Sequence, residues 1–315
     1  MPSASSKRPI KIGFLMNTLE NGMGGETPRW SHILEMAKTA EDVGFDSLWL
    51  GDRLLVDDGD STVGMWEGIS MLGALAAVTS RIEIGALVLR SIYRNPSLVA
   101  KIADSLDEIS GGRFILGLGA GSDLGENDRF GWPEDHPIAR LEEATEITHA
   151  LLRKGSLDYE GKYYTVHDCV LKPRGPRPQG PPIMLASRGP RTRRLTARYA
   201  DIWNRYLVYD KDNLAEIEQY QKEMDEACAA EGRDPASLQR TGFLMADLNI
   251  GGGDAVMKRM SNYAGSPLSG SPEEIADACR TLAGLGFSEL ELWLIPNSLA
   301  GVEGFAPVLE LLDKG

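Results

Sequence analysis

Residues 109–121, with the sequence ISGGRFILGLGAG, decide the fold class of this chain. The polar and glycine residues at the start predict a helix end and a tight turn, the apolar run Phe114–Leu118 predicts a buried strand, and Gly119 and Gly121 follow it. Glycine past a strand end lets a bound group approach the backbone, because no Cβ stands in the way. The segment therefore predicts a parallel α/β protein with a ligand site at the carboxyl ends of its strands.

The same alternation of apolar strand and amphipathic helix runs along the rest of the sequence. The helical pattern that begins at Pro272 has Ser271 as its N-cap and Glu274 three residues later, which is a capping box. Eight strand–helix units favour a closed (β/α)8 TIM barrel, with a doubly wound open sheet as the alternative. The predicted strands are Ile10–Met16, Asp46–Gly51, Ile82–Leu89, Phe114–Leu118, Pro182–Ala186, Asp201–Asn204, Gly242–Leu248 and Ser288–Ile295, and the clearest helices are Trp30–Val43, Ala139–Leu152, Asn213–Ala230 and Pro272–Leu285.

Two segments interrupt the alternation. Gly155–Gly180, after the helix of the fourth strand, predicts a hairpin followed by an extended linker. Gly251–Gly270, after the seventh strand, is rich in Gly and Ser and predicts a surface loop or lid. We therefore expect residues 1–315 to form a single barrel domain with two insertions.

Charge and cysteine content narrow the function classes. The 315 residues carry 33 Lys and Arg against 46 Asp and Glu, a net charge of −13, which disfavours nucleic acid and anionic membranes as partners. The three cysteines are scattered, without metal-ligand spacing or an even disulfide framework. No run is long enough for a membrane span, and residues 1–9 lack the apolar core of a secretory signal. We expect a cytoplasmic protein with reduced thiols and no metal centre.

Polar and cationic side chains follow the predicted strands, although the protein as a whole is acidic. In a parallel barrel these positions share one rim. The strongest of them is 187–194, with the sequence SRGPRTRR, where a helix start leaves backbone N–H groups free and four arginines add charge. This segment predicts a phosphate site; the alternative is a capped helix with solvated arginines.

Other rim positions have weaker signals. Asp52 fits an acid–base or substrate-binding group, and equally an ion pair with Arg53 or a turn cap. His136 lies in a loop that could cover the rim, although a lone loop histidine is more often surface. Because there is no metal cluster, serine elbow or Schiff-base lysine pattern, an organic cofactor is expected to supply the chemistry. The candidate substrate-pocket residues are Asn17, Trp66, Tyr93, Trp132, His136 and Trp203.

Taken together, these motifs resemble the bacterial-luciferase-like superfamily of flavin- or deazaflavin-dependent oxidoreductases. The similarity spans roughly residues 10–205 in the order expected of that family and is looser beyond them. It rests on the segments 40–50 (AEDVGFDSLWL), 74–85 (ALAAVTSRIEIG), 94–101 (RNPSLVAK), 109–121, 140–144 (RLEEA), 189–192 (GPRT) and 200–204 (ADIWN).

The resemblance implies a TIM barrel, often homodimeric, with an elongated cofactor pocket at the carboxyl-terminal face. It implies that the phosphate of the cofactor is held by one loop with help from a second, and that the third strand backs the isoalloxazine ring, where many members have a non-prolyl cis peptide bond. The implied phosphate residues are Ser187, Arg188, Gly189, Pro190, Arg191 and Thr192, with Gly119, Ala120, Gly121 and Ser122; the implied ring-backing residues are Ala86, Leu87 and Val88.

Two positions depart from the family pattern. Members often have Asp-His after the second strand, where this chain has Asp52 and Arg53, so these two are the candidate catalytic residues. The phosphate loop commonly starts with small residues, where this chain has Arg188. The arginine at position 53 puts in doubt a hydride-transfer mechanism that needs an imidazole.

Three functions remain open at this point. The first is a monooxygenase that uses reduced FMN, supplied by a separate reductase, and oxygen on a small organic substrate. The second is a reductase or dehydrogenase that transfers a hydride with the deazaflavin coenzyme F-420 (F420 below). The third belongs to another class, a barrel that binds a flavin without turnover.

Overall fold

The computed structural model describes residues 8–23, 25–58, 61–121, 125–251 and 266–314. All eight predicted strands form within these ranges, along with several shorter ones. The strands are β1 (Lys11–Met16), β2 (Ser47–Leu50), β3 (Leu55–Asp58), β4 (Ser61–Gly64), β5 (Glu83–Ala86), β6 (Leu89–Arg90), β7 (Phe114–Gly119), β8 (Ser156–Glu160), β9 (Thr165–Val170), β10 (Ile183–Ala186), β11 (Ile202–Tyr206), β12 (Gln239–Asp247), β13 (Leu268–Ser269) and β14 (Glu289–Ile295).

Eight of these strands close into a parallel barrel in the order β1, β2, β5, β7, β10, β11, β12 and β14. The ring closes because β14 pairs with β1 and β10 pairs with β7. A closed ring has no free edge strand, so the (β/α)8 barrel is confirmed and the open sheet is excluded. The third predicted strand is interrupted: a cis peptide bond between Leu87 and Val88 separates β5 from β6, at the place that the family resemblance implies.

Helices cover the outside of the barrel. The first runs from Trp30 to Val43 and ends at Gly44, whose φ of 104° is the left-handed conformation that favours glycine. The predicted capping box is present, because the Ser271 hydroxyl accepts from the Glu274 N–H and the Glu274 carboxylate accepts from the Ser271 N–H. The helices are α1 (Trp30–Val43), α2 (Gly68–Val78), α3 (Pro96–Ser110), α4 (Glu126–Arg129), α5 (Pro137–Lys154), α6 (Pro190–Tyr199), α7 (Ala215–Ala230), α8 (Pro272–Gly284), α9 (Leu299–Gly304) and α10 (Ala306–Asp313).

The insertions were partly predicted. The hairpin β8–β9 follows α5 as expected, and its turn is held by the Glu143 carboxylate, which accepts three successive backbone N–H groups at residues 162–164. Most of Gly251–Gly270 lies outside the described residues; its end includes β13, which pairs with β12. The sequence did not reveal a second hairpin, β3–β4, which extends the chain after β2.

The structure also describes the state of the cysteines and the apolar character of the helices. Cys169, Cys228 and Cys279 are free, and the last two are buried. Across the described ranges, no helix combines the length and the apolar character needed to span a bilayer.

Candidate active site

One part of the barrel interior is apolar, and several side chains next to it stay partly exposed. Leu15, Trp49, Ile115, Met184 and Ile202 form a buried cluster inside the ring. The side chains packed against this cluster keep solvent-exposed area, so they form the floor of an opening in the barrel. They are Leu87, Val88, Phe243 and Trp293.

The predicted ring-backing residues divide between two faces. Leu87 and Val88 pack with the cluster inside the barrel, whereas Ala86 is fully buried in the outer core beneath the helices. Side chains alternate between the two faces of a strand, so Ala86 presents its side chain away from the opening. Phe243 and Trp293 are not among the candidate pocket residues that the sequence predicted, because nothing in the sequence tells which strand positions face inward.

The structure gives a different physical reason for the glycines at 117, 119 and 121 from the one that the sequence suggested. A Cβ on Gly117 would lie 1.8 Å from the Ala86 carbonyl oxygen, and one on Gly119 would lie 2.5 Å from a Val88 methyl group. A Cβ on Gly121 would lie 2.2 Å from Arg90 Nε. The missing side chains therefore leave room for the neighbouring strand of this same chain, and the contact of Gly119, Ala120 and Gly121 with a cofactor stays a prediction. Ser122 lies outside the described residues.

The loop between β10 and α6 is open by contrast. Gly189 is the N-cap of α6, no side chain caps the helix, and an added Cβ at Gly189 would meet nothing within 4 Å. Pro190 occupies the first turn, where its missing N–H costs nothing. The first backbone N–H groups of a helix have no intrahelical acceptor and carry the positive end of the helix dipole. This geometry suits an anion.

Two arginine side chains hold the backbone of this loop through hydrogen bonds. Arg193 Nη1 donates to the Arg188 carbonyl oxygen at 2.7 Å, and Arg205 Nη1 donates to the same oxygen at 3.3 Å. In a trans peptide the N–H of residue 189 points opposite to this carbonyl, so the Gly189 N–H is directed away from both guanidinium groups. Helix α7 holds the two arginines in place: Glu223 pairs with Arg193 at 2.8 Å, and the Tyr220 ring lies 3.8 Å from the Arg205 guanidinium carbon.

The remaining predicted loop residues have unequal surroundings. Arg188 is exposed, and Arg191 is also exposed but makes a two-point ion pair with Glu142 on α5, with Nε at 2.6 Å. The Thr192 hydroxyl donates to the Gly189 carbonyl oxygen, and the Ser187 hydroxyl accepts from Thr196. Of the loop cations, Arg188 is thus better placed than Arg191 to meet a bound anion.

Asp52 is one half of a buried ion pair. Its carboxylate accepts from Arg94 Nη1 at 2.6 Å and Nη2 at 2.9 Å, and from the Arg90 backbone N–H at 3.0 Å. Burial raises the pKa of Asp52, and the hydrogen bonds from Arg94 act in the opposite direction. The ion pair expected as one alternative is present, but its partner is Arg94 and not the adjacent Arg53.

A second buried carboxylate, Glu126 on α4, had no signal in the sequence. It accepts from the backbone N–H groups of Leu54 and Leu55 at 3.0 and 2.9 Å and pairs closely with Arg90. Burial acts to raise the pKa of Glu126, but the hydrogen bonds, led by that from the Leu55 N–H, outweigh it and lower the pKa. Glu126 therefore stays ionised while it ties α4 to the segment after β2.

Arg53 lies beside this second carboxylate without a hydrogen bond to it. Its Nε is 3.8 Å from Glu126 Oε1, beyond hydrogen-bond distance, and this buried nitrogen has no acceptor. The side chain keeps 23 % of its surface exposed. A guanidinium group with a free donor at the rim can bind an anion but cannot exchange a proton.

The predicted pocket residues separate into those at the rim and those elsewhere. Tyr93 is buried and stacks on Trp132 with ring centroids 3.9 Å apart, and Asn17 is buried at the end of β1. Trp66 is 45 % exposed and donates to the Pro28 carbonyl oxygen. His136 is exposed, with Nδ1 2.8 Å from Asp135, which fits an ordinary surface histidine.

Trp203 corrects a prediction. It packs in a buried cluster with Ala197, Met224 and Leu238, between the barrel and the helices. Ile202 and Asn204 take the inner face of β11, so alternation turns Trp203 outward, away from the opening. Within the described ranges, no group of three or more His, Cys, Asp or Glu side chains could hold a metal ion.

Two further carboxyls lie inside the barrel on β14. Glu289 accepts from the Trp49 indole N–H at 3.2 Å and from the Ser47 hydroxyl, and Glu291 accepts from Asn204 at 2.8 Å. Burial and then the charge of Glu83 raise the pKa of Glu289 to about 7. Burial and then Glu289 raise the pKa of Glu291 as well. Their alternation with leucine in ELELWLI was the available sequence signal.

Comparisons with known proteins identify the family and agree with the fold. The chain is 31% identical over 195 residues to an F420-dependent glucose-6-phosphate dehydrogenase from Amycolatopsis mediterranei, covering 61% of this chain and 54% of that protein. The matched region is thus about half the length of that relative. The fold matches an F420-dependent secondary alcohol dehydrogenase bound to an F420-acetone adduct, with a TM-score of 0.78, 18% identity, and coverage of 96% of this chain and 99% of the other.

A monooxygenase also has a similar fold. A monooxygenase from Streptomyces bottropensis superposes with a TM-score of 0.75 and 19% identity, covering 97% of this chain and 98% of the other. The family model described as luciferase-like monooxygenase matches residues 10–246, which is more than half of the chain. The chain therefore belongs to the luciferase-like monooxygenase family.

Proposed function

We propose that this protein is an oxidoreductase that uses coenzyme F420 to transfer a hydride to or from a small organic substrate. The choice of this cofactor over FMN rests on the 31% identity to an F420-dependent dehydrogenase. The loop at 187–192 is compatible with this cofactor, because an open helix N-terminus with an exposed arginine suits its phosphate and anionic tail, but the loop would hold the phosphate of FMN as well.

The described residues fit such a cofactor at two places. The Gly189 N–H, the first turn of α6 and Arg188 would hold its phosphate. Leu87 and Val88 would back its ring system, with Phe243 and Trp293 limiting the water around it. When bound, the deazaflavin supplies two-electron hydride chemistry; the protein supplies binding and orientation.

The residues at the reacting end have separate tasks. Asp52 uses both oxygens on Arg94 and the Arg90 backbone, so we assign it to orienting Arg94 rather than to moving a proton. A guanidinium group is a cation that donates hydrogen bonds and accepts none, so we assign Arg53 to stabilising negative charge on the substrate. Because a guanidinium group cannot take the acid–base role that a histidine would have, we assign the proton that accompanies the hydride to exchange with solvent.

A second candidate is an FMN-dependent monooxygenase. The fold similarity to the Streptomyces enzyme supports it, and the same loop would hold the FMN phosphate. A barrel that binds either cofactor without turnover is the third, non-enzymatic candidate.

Titration of the purified protein with F420 and FMN, each oxidised and reduced, tests the proposal. We expect F420 to bind with a dissociation constant of micromolar order, which corresponds to a binding free energy of about −8 kcal/mol. We expect FMN to bind more weakly. Binding of reduced FMN without affinity for F420 would move the assignment to the second candidate. If neither cofactor binds with a dissociation constant below about 1 mM, a binding free energy of about −4 kcal/mol, both enzymatic assignments are rejected.

A further inference from the structure

We infer that the rim around the ends of β1, β2 and β6 is a substrate subsite for an oxyanion, a carboxylate or phosphate group, with Arg53 as its cation. This inference rests on the proposed function, since it names the substrate class for the same opening. The subsite lies on the β1–β2–β5 part of the ring, whereas the cofactor phosphate is assigned to the loop after β10.

The first argument is the pairing of charges. Each buried carboxylate in this part already has an arginine: Arg94 binds Asp52 at two points, and Arg90 binds Glu126. Glu67 also contacts Arg94 at 2.5 Å, but its side chain is 40 % exposed and its charge is screened by solvent. Arg53 is thus a third cation beside two neutralised carboxylates.

The second argument is the hydrogen-bonding capacity of Glu126. Its Oε2 accepts two backbone N–H groups, and Oε1 faces Arg90. The 3.8 Å separation from Arg53 Nε shows that no hydrogen bond joins them. A buried donor without an acceptor is costly, and an incoming oxygen atom would remove this cost.

The third argument is that buried donors without acceptors recur at neighbouring strand ends. Asn17 Nδ2 follows β1, Arg53 Nε follows β2, and Ser91 Oγ follows β6; none of the three has a hydrogen-bond partner in the described part of the chain. These strands are adjacent, because β1 pairs with β2 and β2 pairs with β5, which β6 continues. Donors without acceptors at adjacent strand ends indicate an oxygen-rich ligand group.

The test compares an anionic and a neutral probe of the same shape on the cofactor-loaded protein. Benzoate, phenyl phosphate and benzamide are titrated at constant ionic strength while the absorbance of the bound cofactor is followed. We expect at least one anion to bind about 10-fold or more tightly than benzamide, the size of one charge-assisted hydrogen bond. The stronger of the two anions identifies the substrate group as carboxylate or phosphate.

Variants assign the effect to the guanidinium group. Arg53→Gln should abolish the preference for the anion and Arg53→Lys should retain part of it, each checked for folding by thermal unfolding. Arg129→Gln is the matched control, because Arg129 pairs with Asp57 on the nearby hairpin and is 43 % exposed; it should leave the preference unchanged.

Three outcomes would overturn the subsite: no binding of either anion, equal binding of anion and amide, or an anion preference that survives Arg53→Gln. Cofactor binding is measured first in the same samples. Loss of the anion effect with normal cofactor binding rejects only the subsite, whereas a protein that binds no cofactor rejects the proposed function.

Discussion

Two arginine-rich parts of the rim use their arginines in opposite ways. Beside β2 and β6, Arg90 and Arg94 are largely buried, and each is paired with a buried carboxylate. After β10, Arg188 extends into solvent next to a helix start whose N–H groups are open, and Arg191 pairs with Glu142 at the surface. The first arrangement holds segments of the chain together, and the second leaves donors available for a ligand.

The difference shows that a count of arginines is a poor guide to anion binding. What matters is how many donors remain after the protein's own carboxylates and carbonyl groups are satisfied. By that measure Arg53 belongs with the open part of the rim, although it is next in sequence to Asp52.

The largest expected effect comes from removing a buried carboxylate in the part of the rim beside β2 and β6. Glu126→Ala should lower the free energy of unfolding by about 3–5 kcal/mol, because it leaves the buried Arg90 without this partner and frees the N–H groups of Leu54 and Leu55. Chemical denaturation measures the change. Glu142→Ala, which removes an exposed pair with Arg191, should cost less than about 1 kcal/mol. Equal costs would remove the contrast between the two parts.

The carboxyls of Glu289 and Glu291 inside the barrel are a third case in this comparison. Among the described residues, no arginine hydrogen-bonds to them. The pKa of Glu289 is raised from 4.5 to about 7, so the folded state holds this proton more tightly than the unfolded state. The stabilisation is complete below about pH 4.5, decreases as pH rises, and is lost above about pH 7, a change of roughly 3 kcal/mol.

Glu289→Gln tests this pH dependence, because the amide keeps the shape of the protonated carboxyl but does not ionise. Unfolding free energies at pH 5 and pH 8 should differ less in the variant than in the unaltered protein. A pH profile that is the same for both proteins would show that Glu289 does not carry the effect. Glu274→Gln, at the exposed start of α8, is the control.

The smallest effect is expected at the part of the rim after β10. It concerns the affinity for the cofactor and not the free energy of unfolding. Arg188→Ala should weaken FMN or F420 binding by about 1.5–3 kcal/mol, the value of one charge-assisted hydrogen bond. Arg191→Ala should cost less, since Glu142 already occupies its guanidinium group. Riboflavin, which lacks the phosphate, should bind both variants and the unaltered protein equally. A larger loss for Arg191 would reverse the order assigned here.

The fold could be predicted from the sequence because its signals are local. The apolar runs for the eight barrel strands, the glycine after Val43 and the capping box at Ser271 each depend on a few adjacent residues. The hairpin β3–β4 escaped prediction because its strands, LVDD and STVG, lack the continuous apolar run of the barrel strands.

The candidate site could be predicted only in part. The rim positions followed from the barrel topology, which places every strand end on one side. The orientation of each side chain did not follow, so Trp203 was expected in the pocket, and Ala86 was expected to face the cofactor ring. Partners distant in sequence, such as Glu126 for Arg90 and Glu142 for Arg191, had no local signal.

The sequence by itself determined the class of fold and the family, because periodicity and short motifs encode them, and from the fold it predicted the side of the barrel where ligands bind. The glycines at 117–121 mark the difference most clearly. The sequence shows that a side chain is missing there, but only the packing shows that Ala86, Val88 and Arg90 of the neighbouring strand occupy the space. Which donors are left for a ligand was likewise decided by tertiary contacts, since it depends on every acceptor that the folded chain brings near them.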